Sequence, residues 1–241
     1  MKVITLPQTD STNNYAKSHI EGLDDMTVVH AIRQTNGRGR FNRHWVDLGE
    51  NNLFFSIVLK PQNEYIAVLP NITQYACLIL CKIFDNYGIN AKIKWPNDVM
   101  IDGKRKICGI LSETVIQKGE LKGLVLGIGV NLNANKNDVD SIPDRVVTSL
   151  NLEIGKAVHM DSFLNEFLNE FFTHYDEFLN NGFLSIKNEY LKRCCFIDKD
   201  IKVQVLNEFK SGYAQDITDE GELVLATKDN KRLVLTIGDI L

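Results

Sequence analysis

The chain has 241 residues, long enough to bury one large domain, or one domain plus a small appendage, without help from a metal or a partner. Its 44% hydrophobic and 24% charged residues are ordinary for a soluble globular protein. No window approaches the roughly 18 consecutive apolar residues of a membrane span, and the opening MKVITLPQTDSTNN lacks the apolar core of a secretory signal, so a cytoplasmic protein is expected. A formal net charge of -4 argues against a surface built for nucleic acid, whose phosphates call for cationic neutralisation.

In STNNYAKSHI (11–20) the leading hydroxyl and amide residues suit the N-cap of a short helix. MTVVHAIRQ (26–34) and NLFFSIVLKP (52–61) are rich in β-branched and aromatic residues and are expected to be strands. Between them runs QTNGRGRFNRHW (34–45). Gly37 and Gly39 let a backbone approach a ligand closely, Arg38, Arg40 and Arg43 offer planar donors for carboxylate or phosphate, and Trp45 can stack on a flat ring. Taken alone, the stretch reads as a loop for a small anion, a solvated basic loop or an RGG-like RNA contact.

Apolar residues recur at helical spacing from Asn71 to Tyr87, and Gly88 is placed to end that helix. Cys77 and Cys81 lie four apart on it, a spacing that suits half a metal site but is expected to give buried reduced thiols. Five cysteines without a C-x-x-C give neither a disulfide framework nor a zinc site. AKIKWPNDVMI, KICGILSETVIQ and GLVLGIGVNLN follow as three strands of an antiparallel meander, turning at Asp102-Gly103 and Lys118-Gly119. Lys94, Asn97 and Asp98 crowd a cation, an amide and a carboxylate around Pro96. Lys106 opens the second strand, and Gly127, Gly129 and Asn131 end the third. Neither the Rossmann fingerprint nor the P-loop pattern is present.

SFLNEFLNEFFTHYDEFL (162–179) has the period of a helix packed by its aromatic stripe on a sheet, with Asp161 or Ser162 as cap. After Cys195 come the short strands IKVQVL, SGYAQDIT, ELVLAT and RLVLTI, expected to close a small barrel. The fold class is therefore α/β (α+β): a mixed sheet flanked by helices over 1–192, then a β-barrel over 193–241.

Four motifs in order give a family resemblance. Gly37-Arg38-Gly39-Arg40-Phe41-Asn42-Arg43-His44-Trp45, Lys94 to Asp98, Lys106 to Glu113 (K-x-x-G-I-L-x-E) and Gly127-Ile128-Gly129-Val130-Asn131 closely resemble the biotin protein ligases, also called biotin–[acetyl-CoA-carboxylase] ligases. Asp10 to Asn13 matches as well, and the likeness covers nearly the whole chain. It implies a catalytic domain like that of class II aminoacyl-tRNA synthetases with an SH3-like C-terminal barrel. The implied reaction uses ATP and Mg²⁺, with no zinc or flavin: biotin becomes biotinyl-5′-AMP and then passes to one lysine of a biotin carboxyl carrier protein.

By this resemblance Ser11, Thr12, Asn13, Gln34, Gly37, Arg38, Lys106 and Gly109 bind biotin. Arg40, Arg43, Trp45, Lys94, Asn97, Asp98 and Asn131 bind ATP and the adenylate, while Arg40, Lys94 and Lys106 are catalytic. Asp98 faces magnesium or a basic neighbour, no firm metal ligand is assigned, and His44 and Cys108 are spectators. The glycine-bearing loop is expected to close over the adenylate, and Asn42 stands where the family has a third glycine, a residue able to take left-handed geometry. The motifs start so near residue 1 that a monofunctional enzyme without operator DNA is expected, with a homodimer through a sheet edge as one arrangement. The alternatives are a lipoate or octanoate ligase, which shares the fold and adenylate logic, and an RNA-binding module.

Overall fold

Alternation along two central strands decides which side of the larger sheet becomes core and which becomes site. The computed structural model describes residues 2–49, 51–142, 146–229 and 231–241, with the backbone alone for Asn42. In β3 (Leu53–Leu59), Leu53, Phe55, Ile57 and Leu59 enter the main apolar cluster, while Val58 joins a second cluster on the opposite face. In β7 (Glu120–Val130), Leu124, Leu126, Ile128 and Val130 face the main core and Val125 the other side. Gly127 and Gly129 continue that other side.

Seven strands form this sheet, in the order β1 (Val3–Thr9), β2 (Val28–Gln34), β3, β7, β6 (Arg105–Gln117), β5 (Asp98–Ile101), β4 (Lys92–Lys94). β1 runs parallel to β2 and every other pairing is antiparallel. The expected meander is present, with both turn residues left-handed at Asp102 (φ 53) and Gly103 (φ 65) and again at Lys118 (φ 53) and Gly119 (φ 80), as two-residue hairpins require. AKIKWPNDVMI is not one strand. Trp95-Pro96-Asn97 turns the chain between β4 and β5, with a cis Trp95-Pro96 bond, so that Lys94 pairs with Asp98.

The second face carries α1 (Thr12–Ser18), whose Ala16 packs with Ile20, Val29, Val58 and Val125. The main core lies under α2 (Ile72–Asn86), α5 (Met160–Thr173), α6 (Tyr175–Asn181) and α7 (Lys187–Arg193). Short α3 (Lys136–Asp140) and α4 (Leu150–Ile154) follow β7. α2 ends as expected before Gly88 at φ 76. The helical segment Asn63–Asn86 is long and apolar enough to cross a membrane by composition, and α2 lies buried in this core. The expected helix over 162–179 is two helices broken at His174, with His159 rather than Asp161 or Ser162 at the N-cap of α5. The break lets Phe178 of α6 stack on Tyr75 at 4.5 Å while Phe167 packs against Phe55 at 5.3 Å.

A five-stranded antiparallel sheet follows, in the order β11 (Arg232–Leu235), β10 (Leu223–Ala226), β9 (Glu208–Ile217), β8 (Asp200–Val205), β12 (Asp239–Ile240). It docks on the first sheet and α2 through polar and apolar contacts: Gly221 O accepts from Trp95 Nε1 at 3.1 Å and Gln74 Nε2 at 2.8 Å, Glu220 O accepts from Asn71 Nδ2 at 2.8 Å, and Ile217, Leu223 and Leu225 enter the main apolar cluster.

Candidate active site

One register row crosses five strands of the larger sheet. Lys94 of β4 pairs with Asp98 of β5, Asp98 with Gly109 of β6, Gly109 with Gly129 of β7, and Gly129 with Phe54 of β3. Three motifs far apart in sequence thus become neighbours by strand pairing alone. The glycines clear the floor. A Cβ on Gly129 would lie 2.6 Å from Trp45 Cε2 and one on Gly109 2.6 Å from Trp45 Cζ3, so the indole lies flat across both strands. A Cβ on Gly127 would lie 2.1 Å from Asn13 Oδ1. The room left by these strand glycines is therefore filled by side chains of the loop and of α1.

The loop between β2 and β3 roofs this floor. Gly37 accepts the Trp45 N–H at 3.0 Å, and a Cβ there would lie 2.6 Å from Trp45 O. Left-handed geometry falls on Phe41 (φ 51, ψ 41); the side chain of Asn42, where it was expected, lies outside the described residues. Arg40 and Arg43 both reach Asp239 of β12, at 2.8 and 2.7 Å. Arg40 also donates to Gly238 O at 3.1 Å and Asn97 Oδ1 at 3.3 Å. Burial pulls the Arg40 guanidinium below its ordinary value, and the charge of Asp239 pushes back. Lys106 pairs with Asp98 at 2.7 Å and sits 5.3 Å over the Trp45 ring.

At the other end the site is polar. Thr12 N–H donates to Gln34 Oε1 at 2.8 Å, and Ser56 Oγ lies 2.8 Å from Thr12 Oγ1 and 2.6 Å from Asn13 Oδ1. Asn13 Nδ2 donates to Glu113 Oε2 at 2.9 Å. Ser11 holds the N-cap position of α1 in extended geometry, makes no side-chain capping bond and lines the cleft.

These parts enclose a cleft of about 430 Å³. Ser11, Thr12, Asn13, Gln34, Arg38 and Gly109 line it from the expected biotin set. Arg40, Arg43, Trp45, Lys94, Asn97, Asp98 and Lys106 line it from the expected nucleotide and catalytic sets. Gly37 is outside the lining, and so is Asn131, which is buried and donates through Nδ2 to Thr148 O at 3.0 Å. His44 lines the cleft, whereas Cys108 is fully buried in the core with its thiol pushed up by that burial. Ser56, Glu113 and Asp239 were given no role from the sequence. Ser56 is the single hydroxyl in an apolar strand and Asp239 sits in a two-residue strand without a motif; Glu113 closes a quoted motif and was the findable one.

Among the described residues, six cationic side chains, Lys104 included, face the cleft against the carboxylates of Asp98 and Asp239. The arrangement suits an acid whose carboxylate must meet another anion, with a polar pocket for the far end of the molecule. Among the described residues no group of three or more His, Cys, Asp or Glu could hold a metal.

Residues 5–131 match the model of the biotin/lipoate A/B protein ligase family. The bifunctional ligase/repressor BirA of Bacillus subtilis is 31% identical over 204 residues, covering 84% of this chain and 62% of that protein, so the chain spans less than two thirds of this relative. The biotin–[acetyl-CoA-carboxylase] ligase of Paracoccus denitrificans is 29% identical over 237 residues, 95% of this chain and 96% of the relative. Among solved structures, the biotin protein ligase of Aquifex aeolicus in complex with biotin and ATP superposes with a TM-score of 0.82 at 24% identity, covering 100% of this chain and 97% of that one.

Proposed function

Because the chain belongs to the biotin/lipoate A/B protein ligase family, we propose that its cleft activates biotin with ATP and passes it to a lysine of a biotin carboxyl carrier protein. The observation that carries this reading is the register row: Lys94, Asp98 and Gly109, with Lys106 beside them, lie under an arginine loop and next to a polar pocket. A ureido ring needs donors and acceptors, which Ser11, Thr12, Asn13 and Gln34 supply. An octanoate chain or the dithiolane ring of lipoate offers no amide to pair with the Gln34 amide N–H groups, which favours biotin over either.

In the first step a biotin carboxylate oxygen bonds to the α-phosphorus, the bond to the bridging oxygen of the β-phosphate breaks, and pyrophosphate leaves. Lys106, Lys94, Arg40 and Arg43 offset the repulsion between the two anions and stabilise charge on the phosphoryl oxygens. Arg40 and Arg43 already share one carboxylate, Asp239, so phosphate oxygens would enter a site prearranged for an anion. Trp45, flat over Gly109 and Gly129, offers a face to the adenine. Asp98 is paired with Lys106 and orients it. Mg²⁺ would travel on the triphosphate, since Asp98 and Asp239 each already face a cation. In the second step the acceptor amine attacks the acyl carbon, AMP leaves and the amine loses a proton. No nucleophile from this chain is needed.

To the same proposal belong a catalytic unit over 1–192, a C-terminal barrel over 193–241, a cytoplasmic address and a homodimer through a sheet edge. The test is pyrophosphate release from MgATP with biotin, lipoate or octanoate. Release with biotin alone, reduced at least about a hundredfold in Lys106→Ala, is expected; release with lipoate or octanoate and not biotin would overturn the reading.

A further inference from the structure

Glu113 closes the third motif and touches none of the expected reacting groups, yet three side chains converge on it. Oε2 accepts from Asn13 Nδ2 at 2.9 Å, and Oε1 takes Lys17 Nζ at 2.6 Å and Arg38 Nη1 at 3.3 Å. The same Arg38 Nη1 also donates to Asn14 Oδ1 at 3.0 Å, and Asn14 is itself oriented by donating Nδ2 to Asp10 at 2.6 Å.

An ionised carboxylate only accepts, so the Asn13 amide must turn its nitrogen to Glu113 and its oxygen to Ser56. Ser56 is fully buried and has one proton, which goes to Asn13 Oδ1 at 2.6 Å. Its oxygen then accepts from the Thr12 hydroxyl, which lies 2.8 Å from it and 3.2 Å from Gln34 Oε1, while Gln34 Oε1 takes the Thr12 N–H at 2.8 Å. Gln34 keeps its amide N–H groups for a ligand. The Asn13, Ser56 and Thr12 orientations each depend on the one before, and the first is set by the Glu113 carboxylate together with the Leu111 carbonyl, which also accepts from Asn13 Nδ2 at 3.2 Å; Gln34 Oε1 is turned by the Thr12 backbone N–H. Gly127 is part of the device, since any Cβ there would meet Asn13.

We propose that Glu113 is a positioning residue for the acid-substrate end of the cleft: with the Leu111 carbonyl, its carboxylate fixes the polarity of the chain Asn13–Ser56–Thr12, and it sets the direction of Arg38. The donors and acceptors presented to the biotin ring system are thereby set in advance, a statement that rests on the proposed biotin-activating function. Pre-orientation lowers the cost of binding and leaves the phosphoryl chemistry at the other end untouched.

The experiment is steady-state pyrophosphate release for the wild-type chain, Glu113→Gln, Glu113→Asp, Ser56→Ala and the double variant Glu113→Gln/Ser56→Ala. Activity of the wild type with biotin tests the proposed function by itself, so its failure is seen separately. Given that activity, Glu113→Gln and Ser56→Ala should each raise KM for biotin by about tenfold, with kcat and KM for ATP within about twofold. Glu113→Asp should recover part of the loss. The double variant should be no worse than the poorer single one, because both cut the same chain. An unchanged KM for biotin, an equal fall in kcat, or additive losses would overturn the proposal. If Glu113→Gln does not fold, Ser56→Ala decides it through the same split between KM and kcat.

Discussion

Glu113 is half-buried, and burial alone would raise its carboxyl above the usual range; hydrogen bonds from Lys17 and Asn13 and the charges of Lys17 and Arg38 outweigh that and hold it below its ordinary value of 4.5. A carboxyl lowered on folding binds fewer protons in the folded state. Its stabilisation is therefore complete above the unfolded value and is lost as pH falls through the lowered one. With Lys17 still 26% exposed, the clamp is worth about 1 kcal/mol after screening. The melting temperature of the wild type should exceed that of Glu113→Gln at neutral pH, and the gap should close as pH is taken below about 4. A gap independent of pH would show that shape, not charge, holds the clamp.

At the scale of elements, Gly221 sits where the second sheet meets α2 and Trp95. It has φ 82, and a Cβ there would lie 2.2 Å from Asn71 Nδ2 and 2.8 Å from Gln74 Oε1. Gly221→Ala should cost about 1–3 kcal/mol and raise amide exchange in β8 to β12 ahead of the first sheet; unchanged exchange there would show that the junction lies elsewhere. The elements that carry the site were largely legible in the sequence because each has a local signal. The paired turns at Asp102-Gly103 and Lys118-Gly119 fixed the meander, and with it the register that gathers Asp98, Gly109 and Gly129. β1 carried no such signal: it is an edge strand, largely exposed and interrupted by Pro7, so alternation and β-propensity are both weak there. The turn at Trp95-Pro96-Asn97 was hidden because the residues on both sides of it read as one strand alternating between faces. The break at His174 is tertiary in origin, set by the stacking of Phe178 on Tyr75, while the apolar period runs through it undisturbed.

Across the whole molecule, a chain of net charge -4 collects six cations on one cleft, and its second sheet supplies the carboxylate that holds two of them. Asp239 lies beyond every motif, and its role depends on β12 pairing with β8 beside the arginine loop; no local pattern in the sequence reports a contact of that range. The glycines of the floor illustrate the same limit from the opposite direction. Their need for space is visible in GLVLGIGVNLN, but only the fold shows that Asn13 occupies the space over Gly127 and Trp45 that over Gly129. The cleft is thus one device assembled from both sheets, and the chemistry proposed for it is the joining of a biotin carboxylate to AMP. The most direct test is to incubate the protein with biotin and MgATP labelled at the α-phosphate, then pass it rapidly through a gel filter and identify the label that stays with the chain. Biotinyl-5′-AMP retained on the wild type and absent from Lys106→Ala is the predicted result. Label recovered only as ATP and free AMP, or an adenylate formed from lipoate and never from biotin, would contradict it.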